Sequence, residues 1–448
     1  MKKLLATLLA STMALTAIGG LVACGGGNGG GNGGNGGGAK ELKPYEFSQV
    51  THLDDPLLDK AGDSDDKVGA CTITVWAPSI ALETYQALGN EFTSTYRNGK
   101  YSNVTLEWDA QDEGNVKTLL GTDSTGGADV FFYAGDHTEE MIRNNWLLPL
   151  RGATGSYYSA AINQRDMATA ADVVRKNGYY YAFPATNDNG YYLVYNTDDL
   201  TAEEADDMDK IMEKAAEKDK NFYWNYTEGF WGSIFFFGAG ITPEWKGVDT
   251  DFSEYGGPKG EIGAKATIKY ITDAKMTNSA GDGIVSAVLS GEMIAGICGT
   301  WENPTPAQLE TGKIGCKKLP MFTVDGQKYQ TGAFFGGKYC GVNPSSANTQ
   351  VAMALANYLT NTAAQTKRFD EHQSGPSNKA VAELPAVKAN VPLAAYNDTV
   401  AAGGVFQGDV PQKFWDGISA YNKNVYSGDI TLSDLQLSTL VTDMTTQK

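Results

Sequence analysis

At 448 residues, with 42% hydrophobic and 20% charged side chains, the chain is too long for one simple core and has an ordinary globular composition, so two lobes are expected. Its 35 basic and 53 acidic residues give a net charge of −18, which disfavours nucleic acid and anionic lipid as partners. The histidines His52, His137 and His372 fall in separate segments and no CxxC pair occurs, which argues against a zinc site; no cofactor is implied and no disulfide framework can be assigned.

The chain starts with Lys2 and Lys3, an apolar run from Leu4 to Val22 rich in small residues, and then Leu21-Val22-Ala23-Cys24. This predicts a signal peptide over residues 1–23 ending in a lipobox, with Cys24 as the lipid attachment site, a membrane anchor facing the extracellular side and not a reactive thiol. Loss of the signal would leave 33 basic and 53 acidic residues, a net charge of −20. The 15 residues from 25 to 39 are Gly and Asn with a closing Ala and can build no core. With Cys24 they form a tether over residues 24–39, whose root-mean-square span is about 20 Å. It is not a phosphate loop, because no Lys-Ser/Thr follows. Residues 40–70 read as an acidic extension; Asp63-Ser-Asp65 lacks the third ligand and the closing glutamate of a calcium loop.

From Thr72 short apolar strands alternate with helices. Strands are predicted at Thr72 to Trp76, Val104 to Trp108 and Asp129 to Tyr133. A helix after Ser79, which can cap it, carries Leu82, Tyr85, Leu88, Phe92 and Tyr96 along one stripe. That alternation predicts a doubly wound parallel sheet, with ligands gathered beyond the strand ends at Trp76-Ala-Pro-Ser79 and Tyr133-Ala-Gly-Asp136-His137. Two strands, Tyr179 to Phe183 and Tyr191 to Tyr195, flank Pro184, Asn187, Asp188, Asn189 and Gly190. Proline cannot donate to a central ladder, so the run reads as a polar bridge between two bodies and not as one unbroken strand.

Thr201 to Lys220 is a charged helical region, and Asn221 to Phe237 concentrates aromatics around Glu228. Phe235 to Phe237 read as buried. Glu228, Phe230 and Trp231 fit a buried helix start or a ligand wall equally well, since Gly229 and Gly232 leave the rings room. Helices are expected at Lys265 to Lys275, Gly283 to Ser290 and Ala347 to Leu359, and strands at Met293 to Cys298, Ile314 to Phe322 and Tyr329 to Val342. Trp301 follows a strand on a glycine-rich turn, where it could face a ligand or the core. Phe414 and Trp415 follow Pro411, and a last helix is expected from Thr431 or Ser433.

From about Thr72 to the C-terminus the chain resembles the extracellular solute-binding lipoproteins of bacterial ABC sugar importers, most of all the maltose/maltodextrin-binding proteins. The resemblance lies in the order of ITVW (73–76), GGADVFFYAGDH (126–137), NGYYYAFPATNDNGYYLVYNTDDL (177–200), SGEMIAGICGTW (290–301), LPMF (319–322) and VPQKFW (410–415). It implies an α/β fold of two periplasmic-binding-protein-like lobes with doubly wound sheets and a three-crossing hinge, near 185–190, 331–335 and 374–378. The N-lobe would comprise 71–185 plus 334–373 and the C-lobe 190–331 plus 377–448. It further implies that Tyr133, Asp136, His137, Asp188, Glu228, Phe230, Trp231, Trp301 and Trp415 contact sugar, with His137 in a basic residue's place and Gly229 where better-known members carry proline.

The residue chemistry agrees. Pyranose rings have apolar faces that suit aromatic planes and hydroxyl rims that suit ionised carboxylates, so such a site needs no metal and no catalytic residue. The implied function is capture of oligosaccharides, malto-oligosaccharides first and fructo-, xylo- or manno-oligosaccharides as alternatives, for delivery to ABC permease subunits by a monomeric protein that is not an enzyme. A starch-binding lipoprotein or a glycoside hydrolase would use similar residues. The latter needs two carboxyls about 5 Å or 6.5–9.5 Å apart across one bond.

Overall fold

The computed structural model describes residues 66–245, 250–281 and 283–446. The signal peptide, Cys24, the tether, His52 and the extension up to residue 65 lie outside the described residues. Alternate residues of β1 (Cys71–Ala77) are buried, and β1 pairs in parallel with β2 (Val104–Ala110), from Cys71 opposite Val104 to Ala77 opposite Ala110. β3 (Val130–Ala134) lies on its other side, also parallel. The helix between β1 and β2, α1 (Leu82–Ser94), buries Tyr85, Leu88 and Phe92, and Tyr85 meets Phe132 of β3 with ring centroids 4.2 Å apart. Ser79 does not cap α1. It sits in a separate 3-10 turn, Ser79–Ala81, out of reach of the first helical N–H groups, and its hydroxyl donates to Asp112 at 3.2 Å. Tyr96 lies past the helix end, in the turn Tyr96–Gly99, yet remains buried.

The remaining strands of the main sheet are β4 (Ala182–Asn196), β5 (Asn221–Tyr223), β6 (Met276–Thr277), β7 (Met293–Gly299), β8 (Ile314–Lys317), β9 (Ala333–Val342) and β10 (Gly404–Phe406). They form a ten-stranded sheet in the order β2-β1-β3-β9-β4-β7-β5-β6, with β8 beside β4 and β10 beside β9. Pairing is parallel towards both ends of this order, as the alternation of strand and helix predicts. In the middle, β3, β9, β4 and β7 are antiparallel, because β9 comes late in the chain and inserts beside strands made much earlier. The result is the two-lobed α/β fold of periplasmic binding proteins.

The break expected between Pro184 and Gly190 does not occur: β4 runs through 15 residues, almost all buried. Residues 182–190 pair with β9, whereas 191–195 pair with β7 and 193–196 with β8, so one unbroken strand passes from one half of the sheet to the other. Pro184 is tolerated because the β4–β9 register shifts on either side of Lys338, next to the Pro184–Tyr339 pair, where the ladder is already irregular.

Other boundaries move for local reasons. The run Ile314 to Phe322 divides into β8 and the hairpin strand Met321–Val324, and the run from Tyr329 divides into Gln327–Gln330 and β9. The helix expected from Lys265 begins at Pro258, a residue suited to a first helical turn. In the 201–220 region a 3-10 turn, Glu204–Asp206, precedes the α-helix Met208–Lys218, which is capped by Asp207 accepting from the Asp209 N–H. The last helix is Leu437–Thr445. Helices that the sequence pattern did not reveal include Gly152–Arg165, Thr362–His372, α2 (Val391–Gly403) and α3 (Gln412–Ser427). Among the described residues no helix is long and apolar enough to cross a membrane.

Candidate functional site

The carboxyl ends of β1, β2 and β3 open into one cleft with a volume of about 660 Å³. Pro78, Ser79 and Ile80 reach it from β1, Asp112, Glu113, Gly114 and Asn115 from β2, and Ala134, Asp136 and His137 from β3. Glu228, Gly229, Phe230 and Trp301 line it as well, with Gln412, Trp415, Asp416 and Ser419 from α3. Asn189 of β4, Lys338 of β9 and Gln407 complete the lining.

Asp136 and His137 sit in a 3-10 turn, Gly135–His137, directly after β3. Both are buried, with His137 Nε2 3.5 Å from Asp136 Oδ2, yet Asp136 Oδ1 and His137 Nδ1 have no hydrogen-bond partner. Burial holds the His137 imidazole below its ordinary pKa, only partly opposed by the Asp136 carboxylate. Glu113 is also buried; its Oε1 lies 3.5 Å from Lys338 Nζ and 3.8 Å from Arg368 Nη2 and accepts no hydrogen bond. Buried polar atoms left unmet in this way are costly unless a ligand or water meets them.

The aromatic part is built differently. Phe230 and Trp415 are half-buried and packed on Phe334, the Phe230 ring nearly parallel at 5.8 Å and the Trp415 ring edge-on at 5.0 Å. Trp301 stands in the turn Thr300–Glu302 straight after β7, with Phe230 6.0 Å and Trp231 5.5 Å away. Glu228 is exposed and accepts from Asn225 Nδ2 at 2.9 Å.

Of the nine residues singled out from sequence, the cleft therefore gathers Asp136, His137, Glu228, Phe230, Trp301 and Trp415. Three others lie elsewhere. Tyr133 is fully buried between Phe131 and Tyr339, and its hydroxyl accepts from Thr138 at 3.3 Å. Trp231 packs on Tyr191 with centroids 4.9 Å apart, and its carbonyl accepts from Trp224 Nε1 at 2.8 Å. Asp188 is buried, its Oδ2 accepting from the Gly375 N–H at 2.5 Å and its carbonyl from the Thr300 hydroxyl. Burial raises its carboxyl pKa, with Lys338 pulling the other way. Sequence reasoning missed Glu113 and Lys338. The available signals were a strand end running into Glu113-Gly114-Asn115 and one cation inside an apolar run, Phe334 to Val342.

Among the described residues no group of three or more His, Cys, Asp or Glu could hold a metal ion, and Cys71, Cys298, Cys316 and Cys340 carry free thiols. Residues 87–395 match the family described as bacterial extracellular solute-binding protein. The chain belongs to that family. No curated protein matches the sequence. Solved structures of similar fold include the maltodextrin binding protein MalE1 from L. casei BL23, without ligand, at 21% identity and TM-score 0.68 over 85% of this chain and 100% of that one. The GacH receptor of Streptomyces glaucescens GLA.O, solved unliganded and with acarbose, shares 19% identity at TM-score 0.69 over 84% and 97% of the two chains. The maltose/maltodextrin-binding domain MalE from Bdellovibrio bacteriovorus, bound to maltotriose, shares 17% at TM-score 0.68 over 84% and 98%. At these identities the likeness establishes the fold, and the family establishes this chain as an extracellular solute-binding protein.

Proposed function

We propose that this solute-binding protein captures oligosaccharides, malto-oligosaccharides in the first place, for an ABC importer. The observation that carries the reading is one cleft in which half-buried Phe230, Trp301 and Trp415 share the lining with two buried carboxylates, Asp136 and Glu113, each with one oxygen unmet. Rings take the C–H faces of pyranoses and carboxylates take hydroxyl protons, through charge-assisted bonds roughly twice as strong as neutral ones. A scavenger's micromolar affinity needs only about −8 kcal/mol net, within reach of such a site. The proteins of similar fold whose names mention maltodextrin, maltotriose or acarbose favour the same ligand class.

In this reading Cys24 carries the lipid, the lobes are 71–185 plus 334–373 and 190–331 plus 377–448, and closure about crossings near 185–190, 331–335 and 374–378 buries the sugar for delivery to the permease. Two of those crossings are tied to each other: the Asn187 N–H donates to the Gly375 carbonyl at 2.9 Å, and the Gly375 N–H donates back to Asp188. In this reading Asp188 braces the two crossings, since its carboxylate already accepts from the Gly375 N–H. Calorimetric titration with maltotriose, isomaltotriose, xylotriose, a fructo-oligosaccharide, a manno-oligosaccharide and soluble starch tests the assignment. Saturable binding of maltotriose with the sugar recovered intact supports it. Binding of another oligosaccharide alone removes the substrate, preference for polymer points to a starch-binding lipoprotein, and cleaved product overturns the transport role.

A further inference from the structure

Lys338 is the cation of the cleft lining, and several features of the fold converge on it. Its ammonium lies 5.3 Å from the centre of the Trp301 ring and 3.5 Å from Glu113 Oε1, a separation longer than a normal N–H···O bond. The residue is 8% exposed. The β4–β9 register shifts immediately before and after it, an irregularity of the kind that re-aims a side chain near a binding site. A Cβ on Gly299 would lie 2.5 Å from the Trp301 indole, so that ring is seated tightly on its own turn beside the ammonium.

We infer that Lys338 and Glu113 form a donor–acceptor pair that reads adjacent hydroxyls of the sugar unit held at Trp301, making Lys338 a specificity-determining residue of the cleft. An ammonium has only donors and a carboxylate only acceptors, so neither can satisfy a ligand group of its own kind. A hydroxyl is both donor and acceptor. Two neighbouring hydroxyls, one accepting from Lys338 and one donating to the unmet Glu113 Oε1, fit the pair without bringing a new charge into a buried place. Arg368 lies 3.8 Å from the same Glu113 oxygen and also favours the buried Asp188 carboxylate that Lys338 favours, so both acids keep a cation if Lys338 is lost.

The inference rests on the saccharide reading, and the experiment keeps the two apart. Affinities of the purified protein, Lys338→Met and Lys338→Arg are measured for maltotriose and its set of monodeoxy analogues. At one hydroxyl position deletion should cost the unaltered protein roughly tenfold or more but cost Lys338→Met less than about threefold, while other positions cost both alike. A purely structural lysine would weaken every analogue equally, and that result overturns the inference. Should Lys338→Met fail to fold, Lys338→Arg must change the penalty at one position selectively, and an unchanged pattern overturns the inference as well. Failure of the unaltered protein to bind maltotriose counts against the substrate proposal. The series is then run on deoxy analogues of whichever oligosaccharide binds, and the inference falls if none does.

Discussion

Phe230, Trp301 and Trp415 are each backed by further rings, Phe334 behind the first and third and Trp231 behind the second. Glu113, Asp136 and His137, which share the cleft, are buried with atoms that no protein group satisfies. Packing fixes the aromatic side before any ligand arrives, whereas the polar side is left incomplete and needs an outside partner. Substitutions behind the rings should therefore cost stability first, and substitutions among the unmet polar groups should cost ligand first.

The largest expected effect comes from Trp231→Ala, which empties a site packed on Tyr191 and Trp301 and should cost about 3–5 kcal/mol in urea denaturation. Trp301→Ala, at a half-exposed ring, should cost less stability and more affinity; the reverse order would break the distinction. Next comes Gly229→Ala. A Cβ there would lie 2.6 Å from the Trp415 carbonyl oxygen and 2.7 Å from its Cα, so α3 must shift. Denaturation should show a loss of about 1–3 kcal/mol, together with weaker sugar binding as Trp415 moves.

Asp136→Asn keeps volume but exchanges a charged acceptor for a neutral one, so titration should show about tenfold weaker binding with stability unchanged or improved. The smallest effect is on pH dependence. His137 has a depressed pKa in the fold against about 6.5 unfolded, so the folded state binds fewer protons between those two values. Stability is then present above about pH 6.5 and declines as the pH falls through the folded-state pKa. His372 is depressed in the same direction by burial, so His137→Gln should remove only part of the slope in a stability-versus-pH series.

Where local pattern and final environment agree, the sequence was readable: the stripe on α1, the parallel pairing of β1, β2 and β3, and the turns bearing Asp136 and Trp301. The rest is not legible locally, because a distant segment decides the environment. Tyr133 looked like a ligand aromatic at a strand end, but β9 inserts beside β3 and covers it with Tyr339. Asp188 looked like a sugar acceptor, but its carboxylate is taken by an N–H 187 residues further along the chain. A single lysine in an apolar run, such as Lys338, carries no periodic signal, and its place in the cleft coincides with an irregular register of β9.

Calorimetric titration of the protein and its Trp301→Ala variant with maltotriose, with the sugar examined afterwards, decides whether the ring-lined cleft captures an oligosaccharide. Saturable binding by the unaltered protein is expected, with its loss in the variant while the variant stays folded, and intact maltotriose in both. Undiminished binding by the folded variant, or hydrolysed sugar, would contradict it.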